Sequence, residues 1–288
     1  MIKLLGYNPD LISGDPHPPG LGFSSIRFSG GEIHVTLDDS DEDFSRPSIL
    51  ADVHDSDDLM ELLMVTDALK RSGNIYGIDL ILPYVPYGRQ DRVANPGESL
   101  SIKVFCDIIN AQKYDSVEIL DPHSEVTTAL IDRCVVVPQE ELVNRMLDSK
   151  LMNLDTSRVM LISPDAGANK KTLKVAQHCG FKGVIRADKV RDTATGQITG
   201  TEVYCGDLGD RDVLIVDDLI DGGKTFQELA KVLRTKTTGY VMLYVTHGIF
   251  SKGLSICKDF DYVYVYKGFG ECYLNDGVLK VLNKKGEI

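Results

Sequence analysis

Hydrophobic residues along the chain follow two alternating patterns. Short, nearly continuous apolar runs such as Val213–Val216 have the length of strands. Longer stretches such as Met60–Gly73 instead repeat apolar residues every three or four positions. The first pattern is typical of strands buried on both faces, and the second is typical of amphipathic helices. Their alternation predicts an α/β fold with mainly parallel sheets flanked by helices.

The clearest predicted helix is the stretch Met60–Gly73 together with the residues just before it. Ser56 is the predicted N-cap, because its hydroxyl can accept an N–H group of the first turn. Lys70 and Arg71 place positive charge where the last carbonyl groups carry partial negative charge. Gly73 suits the position just after the helix, where a left-handed backbone is common.

The remaining predicted elements keep the same alternation. Further helices are predicted at Ser99–Gln112, Glu140–Leu147, after Asn169 and at Lys224–Leu233. Strands are predicted at Gly77–Leu82, Ser116–Asp121, Arg133–Pro138, Arg158–Ser163, Gly183–Arg186, Asp212–Asp218 and Tyr240–His247. A polar loop is predicted from Asp188 to Gly200.

The length of 288 residues is enough for two ordinary domains. The most polar connection near the middle of the chain is Asp148–Ser157, where neither hydrophobic period is present. We therefore expect an N-terminal domain of residues 1–148 and a C-terminal domain of residues 149–288.

Composition indicates a globular protein. Hydrophobic residues make up 43% of the chain and charged residues 26%, which suffices for a sizeable core. The net charge of −12 argues against a nucleic-acid binder, and no apolar run reaches membrane-spanning length. The chain starts without a signal-like segment, and its six cysteines include no CxxC pair. We therefore expect a cytoplasmic protein with reduced thiols.

Four predicted strands end in polar residues that can carry chemistry. These strand ends are Gly88–Arg92, Asp121–Ser124, Ser163–Gly167 and Asp217–Thr225. Ligands of parallel sheets bind at the carboxyl ends of strands, so these four segments are the candidate site.

The segment Asp217–Thr225 ends in Gly-Lys-Thr, which suggests a triphosphate loop. A Walker loop needs glycine where Asp218 stands, so that interpretation fails. Gly222 and Gly223, placed before a helix, instead offer backbone N–H groups and a positive helix end to a monophosphate. Acids at the strand end can accept hydrogen bonds from sugar hydroxyls, although a plain surface turn is an alternative. The predicted acceptor-binding residues are Asp217, Asp218, Asp221, Gly222, Gly223, Lys224 and Thr225.

This segment resembles the phosphoribosyl-pyrophosphate signature shared by phosphoribosyltransferases and ribose-phosphate pyrophosphokinases. The motifs RFSGGE, MELLMVTDALKR, YGRQDR, DPHS, SPDAG and THGIFS stand in the order found in the pyrophosphokinase family, and they span residues 27–251. Ordinary phosphoribosyltransferases lack the YGRQDR and DPHS elements. The resemblance implies two phosphoribosyltransferase-like domains, with ATP on the N-terminal side and the ribose phosphate on the C-terminal side.

The resemblance also implies a reaction, in which the β,γ-pyrophosphoryl group of ATP moves to the anomeric hydroxyl of ribose 5-phosphate. It implies Mg²⁺ as the cofactor, with His123 and Asp165 as its ligands. Lys189 and Arg191 match the lysine and arginine of the family's flexible catalytic loop. The residues that match the family's ATP site are Phe28, Glu32, Arg89, Gln90, Asp91 and His123. The family's adenine site reaches across subunits, so a homo-oligomer, either a dimer or a hexamer, is implied as well.

Three departures from the family pattern leave alternatives open. Gly30 stands where the family usually has Asp or Asn. The segment after His123, SEVTTALID, differs from the run that carries the family's subunit contacts and allosteric regulation. Lys224 replaces a small residue and suits a second phosphate. The alternative acceptor is therefore the terminal ribose of ADP-ribose, as in phage-encoded relatives that rebuild NAD⁺, and a non-catalytic regulatory member is a further alternative.

Overall fold

The structure divides between Val137 and Pro138 into two units, Met1–Val137 and Pro138–Ile288. The structure is a computed structural model that describes residues 1–6, 21–38, 45–73, 75–148, 152–191, 198–268 and 279–282. No helix within these ranges is both long enough and apolar enough to cross a membrane.

The first unit contains a five-stranded sheet and a separate two-stranded hairpin. Its strands are β1 (Ile2–Leu5), β2 (Phe23–Arg27), β3 (Ile33–Leu37), β4 (Ser48–Ala51), β5 (Asp79–Leu82), β6 (Ser116–Leu120) and β7 (Cys134–Val137). Its helices are α1 (Ser56–Arg71), α2 (Ser101–Ala111) and α3 (Glu125–Leu130). The large sheet has the order β1-β4-β5-β6-β7 and is parallel except for β1, while β2 and β3 form the hairpin.

The second unit contains a seven-stranded sheet. Its strands are β8 (Met160–Ser163), β9 (Val184–Arg191), β10 (Ile198–Val203), β11 (Val213–Ile220), β12 (Val241–Gly248), β13 (Tyr262–Gly268) and β14 (Leu279–Leu282). Its helices are α4 (Gln139–Asp148), α5 (Asn169–Cys179) and α6 (Lys224–Arg234), with a short 3₁₀ helix at Leu254–Asp259. The order is β10-β9-β8-β11-β12-β13-β14, and only the outermost pair at each edge is antiparallel.

Burial on both faces explains the apolar run that begins β11. Val213 and Ile215 belong to the core covered by α6, whereas Leu214 and Val216 belong to the core covered by α4 and α5. Successive side chains of a strand point to opposite faces, so a strand covered on both sides needs an apolar residue at every position. The predicted α/β fold class, with mainly parallel sheets flanked by helices, is confirmed.

The N-terminus of α1 corrects one prediction. Asp55, rather than Ser56, is the N-cap, and its Oδ1 accepts the backbone N–H groups of Asp57 and Asp58 at 2.9 Å each. Both residue types cap helices well, so the sequence alone did not distinguish them. The prediction for Gly73 agrees with the structure, because its φ of +80° places it in the left-handed region just after the helix.

The predicted loop from Asp188 to Gly200 is also corrected. Strand β9 continues to Arg191, and β10 begins at Ile198, so every described residue of this segment belongs to two paired strands. Residues 192–197 lie outside the described ranges. Pairing between two polar strands is a tertiary effect, and the polar local sequence hid it.

Helix α4 falls within the second unit, whereas the sequence placed the domain boundary after Asp148. The Cys179 thiol of α5 donates to the Glu140 carbonyl oxygen at 3.5 Å. Val143 and Met146 of α4 belong to the same buried core as Leu161 of β8. These contacts explain why the division between the units falls before α4.

Candidate active site

The carboxyl ends of two neighbouring parallel strands, β8 and β11, carry the candidate acidic residues Asp165, Asp217 and Asp218. Strand β11 pairs in parallel with β8 on one side and with β12 on the other. Its register with β8 covers only Val213–Ile215, whereas its register with β12 continues to Ile220. The last residues of β11 therefore extend past the pairing with β8. They lie at the carboxyl-terminal end of the strands, where Asp165 follows β8.

Asp217 and Asp218 are consecutive residues of this extension. The Asp218 backbone N–H donates to Asp217 Oδ1 at 2.9 Å. Burial raises the pKa of Asp217 well above its usual value, and the carboxylates of Asp218 and Asp165 raise it further. Asp218 is itself buried, with 7% of its surface exposed. The strand end thus gathers negative charge that hydroxyl donors or a cation can offset.

Asp165 is held in a turn by its own backbone neighbours. Its Oδ1 accepts the N–H groups of Gly167 at 3.0 Å and Ala168 at 3.1 Å. Ser163 Oγ donates to the Asp165 carbonyl oxygen at 2.9 Å. These bonds fix the carboxylate at the start of the segment that leads into α5.

The segment Asp221–Thr225, called the glycine loop below, connects β11 to α6. Gly223 has a φ of +69° and is the N-cap of α6. A Cβ atom on Gly223 would lie 2.8 Å from Cδ1 of Ile256, so only glycine fits there. The first backbone bond of the helix runs from the Gln227 N–H to the Gly223 carbonyl oxygen at 3.0 Å. Lys224, Thr225 and Phe226 precede that bond, and N–H groups at such positions are available to an anion.

Two polar residues next to the glycine loop were not predicted from the sequence. The Ser251 backbone N–H donates to Asp221 Oδ1 at 3.3 Å. The Lys252 side chain lies against Gly222, with Nζ 3.8 Å from where a Cβ atom on that glycine would stand. The THGIFS motif pointed to this segment, but no role was predicted for Ser251 or for the lysine after it.

The ATP-side candidates of the first unit include the turn after β5. Gly88 is tightly placed, since a Cβ atom on it would lie 3.2 Å from the Val85 carbonyl oxygen and 3.9 Å from Cβ of His123. The turn is closed by the Gln90 N–H, which donates to the Tyr87 carbonyl oxygen at 2.8 Å. Arg89, Gln90 and His123 are exposed, and Asp91 is half-buried. The structure thus brings the YGRQDR turn next to His123.

Phe28 and Glu32 lie at the tip of the β2–β3 hairpin. The Phe28 ring is 52% exposed, and its centroid is 6.2 Å from that of His34. The Phe28 N–H donates to the Glu32 carbonyl oxygen at 2.9 Å. The Glu32 carboxylate folds towards Gly30, because a Cβ atom there would lie 2.8 Å from Glu32 Oε2. The tip therefore carries a half-exposed aromatic ring and, across one backbone bond, a residue whose carboxylate folds over Gly30.

Lys189 and Arg191 lie on β9 rather than in a loop. Their Cα partners on β10 are Thr201 and Ile198. At the base of the hairpin, Ala187 and Val203 are buried in the core that α6 covers. The hairpin is thus anchored at its base, and the two residues lie towards its other end.

The acidic strand ends suit magnesium in part. Magnesium prefers oxygen ligands and is usually held by one or two carboxylates together with substrate phosphates. Asp165 and Asp217 repel each other, and a divalent cation relieves such repulsion. His123 offers nitrogen, which suits Mg²⁺ less well. Within the described ranges, no group of three or more His, Cys, Asp or Glu residues could hold a metal ion. The carboxylates therefore fit an ion that shares its coordination with substrate.

Comparisons with known proteins agree with this architecture. A model of the N-terminal domain of ribose phosphate pyrophosphokinase matches residues 20–112. A ribose-phosphate pyrophosphokinase of Campylobacter jejuni is 34% identical over 229 residues, which cover 78% of this chain and 71% of the relative. That of Haemophilus ducreyi is 31% identical over 238 residues, covering 80% and 72%. The crystal structure of phosphoribosylpyrophosphate synthetase from Mycobacterium smegmatis matches with a TM-score of 0.68 and 24% identity, covering 86% of this chain and 80% of the other.

The fold defines an α/β protein with two phosphoribosyltransferase-like domains, and its similarity to the curated pyrophosphokinases makes it an enzyme of that type. The chain belongs to the ribose-phosphate pyrophosphokinase family.

Proposed function

We propose that the protein transfers the β,γ-pyrophosphoryl group of ATP to the anomeric hydroxyl of ribose 5-phosphate, giving phosphoribosyl pyrophosphate and AMP. The observation that carries this proposal is the arrangement at the end of β11, where two carboxylates precede a glycine loop and a helix N-terminus. Family membership supports the same reaction.

The reaction replaces one phosphorus–oxygen bond by another. The anomeric oxygen bonds to the β-phosphorus of ATP, and the bond from that phosphorus to the oxygen bridging it to the α-phosphorus breaks. AMP leaves with the bridging oxygen and its electron pair, and the hydroxyl proton passes to water. Such transfer needs positioning and charge neutralisation more than covalent help from the protein.

The acceptor is assigned to the second unit. In this proposal Asp217 and Asp218 accept hydrogen bonds from the ribose hydroxyls, and the glycine loop binds the 5-phosphate through backbone N–H groups and the Thr225 hydroxyl. The left-handed conformation of Gly223 supports this role, because the loop that it allows opens the first turn of α6 to an anion. Asp221 braces the loop through Ser251.

ATP is assigned to the first unit. Phe28 stacks on the adenine and Glu32 accepts a hydrogen bond from it, which the half-exposed ring and the backbone bond between the two residues support. Arg89 contacts the phosphates, and Gln90, Asp91 and His123 complete the set, which the close placement of Gly88 and His123 supports. A homo-oligomer is also part of the proposal, by family membership alone.

Charge neutralisation is assigned to Mg²⁺ and to two cationic residues. When bound, Mg²⁺ would offset the negative charge of the phosphate oxygens, with Asp165 and His123 as its proposed protein ligands. Lys189 and Arg191 are proposed to stabilise the charge of the transferring group. Their position beyond the buried base of the β9–β10 hairpin supports a role on a projecting arm.

A second acceptor, ADP-ribose, is favoured by one observation. Lys224 is exposed at the first position of α6, where its ammonium can meet a phosphate that lies beyond the glycine loop. Ribose 5-phosphate has no second phosphate that could contact Lys224, whereas ADP-ribose carries one.

The acceptor is tested by supplying the protein and Mg-ATP with ribose 5-phosphate or ADP-ribose in separate reactions and measuring AMP by chromatography. The proposal expects AMP with ribose 5-phosphate. If AMP forms with ADP-ribose alone, the acceptor is ADP-ribose and not ribose 5-phosphate. If AMP forms with neither compound, the proposed enzyme activity is rejected.

A further inference from the structure

The segment after β12 is bonded to the glycine loop. The Ile249 N–H donates to the Ile220 carbonyl oxygen at 2.8 Å, and the Ser251 N–H donates to Asp221 Oδ1 at 3.3 Å. In addition, Ile256 of the 3₁₀ helix packs against Gly223. Residues 249–256 therefore form one wall of the loop.

Lys252 lies in a tight turn of this wall. The Gly253 N–H donates to the Phe250 carbonyl oxygen at 2.7 Å, and Phe250 itself has a φ of +51°. The Phe250 side chain is only 5% exposed, so it anchors the turn in the core. The backbone that carries Lys252 is thus fixed relative to the glycine loop.

The Lys252 side chain follows the surface of Gly222. From where a Cβ atom on Gly222 would stand, Cε is at 3.6 Å, Cδ at 3.7 Å and Nζ at 3.8 Å. These are ordinary van der Waals distances, so the methylene chain packs on the glycine and the exposed ammonium stands beside the loop. The acid of the glycine loop is Asp221, whose carboxylate accepts the Ser251 N–H.

We propose that Lys252 binds the phosphate of the acceptor at the glycine loop, and this inference rests on the proposed function. A lysine acts on phosphate as a point charge with three donors, and it adds a charge-assisted hydrogen bond to those from backbone N–H groups. The fixed turn holds its backbone in place before the ligand arrives, so less entropy is lost on binding. Lys252 thereby selects phosphorylated sugars over free sugars.

The test measures binding rather than turnover, by titration calorimetry of the full chain with ribose 5-phosphate, ADP-ribose or ribose. Lys252→Ala should weaken binding of the phosphorylated acceptor by about tenfold or more. Lys252→Arg should retain most of the affinity. Lys258→Ala removes another exposed lysine from the same segment and should bind like the wild type.

The outcomes separate this inference from the proposed reaction. If Lys252→Ala binds ribose 5-phosphate and ADP-ribose within about twofold of the wild type, the inference is overturned even when the wild type makes AMP. A lysine that only neutralises Asp221 would give that result together with a lower melting temperature. If binding depends on Lys252 but no AMP forms, the inference stands and the proposed reaction is rejected. Binding of neither phosphorylated compound by the wild type overturns the inference.

Discussion

Asp217 Oδ1 accepts a hydrogen bond from the backbone N–H of Asp218 at 2.9 Å, so the backbone of the next residue holds the Asp217 carboxylate in place. Burial and two neighbouring carboxylates disfavour the ionised form of Asp217 and raise its pKa. Isolated surface acids do not repel one another in this way. The pair is therefore arranged for a polar ligand, which accounts for acidic residues at the end of an otherwise apolar strand.

Replacing either acid should impair use of the acceptor. Asp217→Asn and Asp218→Asn should each lower kcat/KM for ribose 5-phosphate by roughly 10- to 100-fold, because each loses a charge-assisted hydrogen bond to the ribose. Steady-state AMP formation measures the effect. The control is Asp210→Asn, since the Asp210 side chain is 87% exposed. If kcat/KM is equal in all three variants and the wild type, Asp217 and Asp218 do not bind the acceptor.

The glycine loop should not tolerate a side chain at Gly223. Gly223→Ala places a Cβ atom 2.8 Å from Ile256 in a left-handed backbone, so we expect lost acceptor binding and destabilisation by more than the ~1–2 kcal/mol of backbone strain alone. Gly209→Ala is the matched control, because Gly209 has a φ of +63° but nothing within 4 Å of an added Cβ. Urea unfolding and calorimetry of both variants separate strain from steric conflict. Similar behaviour of the two would contradict the tight fit.

An ion pair with a buried carboxylate should stabilise the first unit. Arg46 donates to both carboxylate oxygens of Asp79, at 2.8 Å from Nε and 2.9 Å from Nη2, and the Ser116 hydroxyl donates to the same carboxylate at 2.6 Å. Arg46→Met leaves a buried charge with one remaining partner and should lower the free energy of unfolding by about 2–4 kcal/mol.

The exposed pair of Arg71 and Asp67 provides the comparison for this effect. Both side chains are more than half exposed, so Arg71→Met should change the free energy of unfolding by less than about 0.5 kcal/mol. Urea unfolding gives both values. An effect of Arg46→Met as small as that of Arg71→Met would show that the Asp79 carboxylate is solvated in the folded state.

Alkaline pH should destabilise the protein through two thiols. Burial raises the pKa of Cys106 from 9.0 to about 11 and that of Cys179 from 9.0 to about 12. Below pH 9 the thiols keep their protons in both states, so their contribution is fully present. As pH rises towards these folded-state values, only the unfolded chain releases protons, and stability is lost.

The urea midpoint measured between pH 8 and pH 10.5 tests this expectation. It should fall over the range, and it should fall less in the Cys106→Ala, Cys179→Ala double variant. Equal slopes in the two proteins would assign the alkaline loss to other groups.

The local sequence pattern predicted the features that depend on the residue types of one short segment. The continuous apolar run of β11 predicted a strand buried on both faces, and the acids and glycines after it predicted a strand-end site. Positive φ at Gly73 also follows from sequence, because this glycine stands just after the end of a helix.

Features that depend on distant contacts could not be predicted. The place of α4 in the second unit and the packing of Lys252 on Gly222 depend on contacts between separate elements. The β9–β10 pairing depends on backbone bonds between two polar strands that show no apolar strand pattern. Lys252 in particular had no local signal, because its position depends on a turn anchored by Phe250. The choice between Asp55 and Ser56 as the cap failed for a different reason, since both residue types suit the position.

The nucleotide product distinguishes pyrophosphoryl transfer from other uses of ATP most directly. The protein is incubated with Mg-ATP and ribose 5-phosphate, and AMP, ADP and the sugar product are quantified by ³¹P NMR and chromatography. We predict AMP and phosphoribosyl pyrophosphate in equal amounts. Formation of ADP with a singly phosphorylated C1 position, or no consumption of ATP, would contradict the proposed reaction.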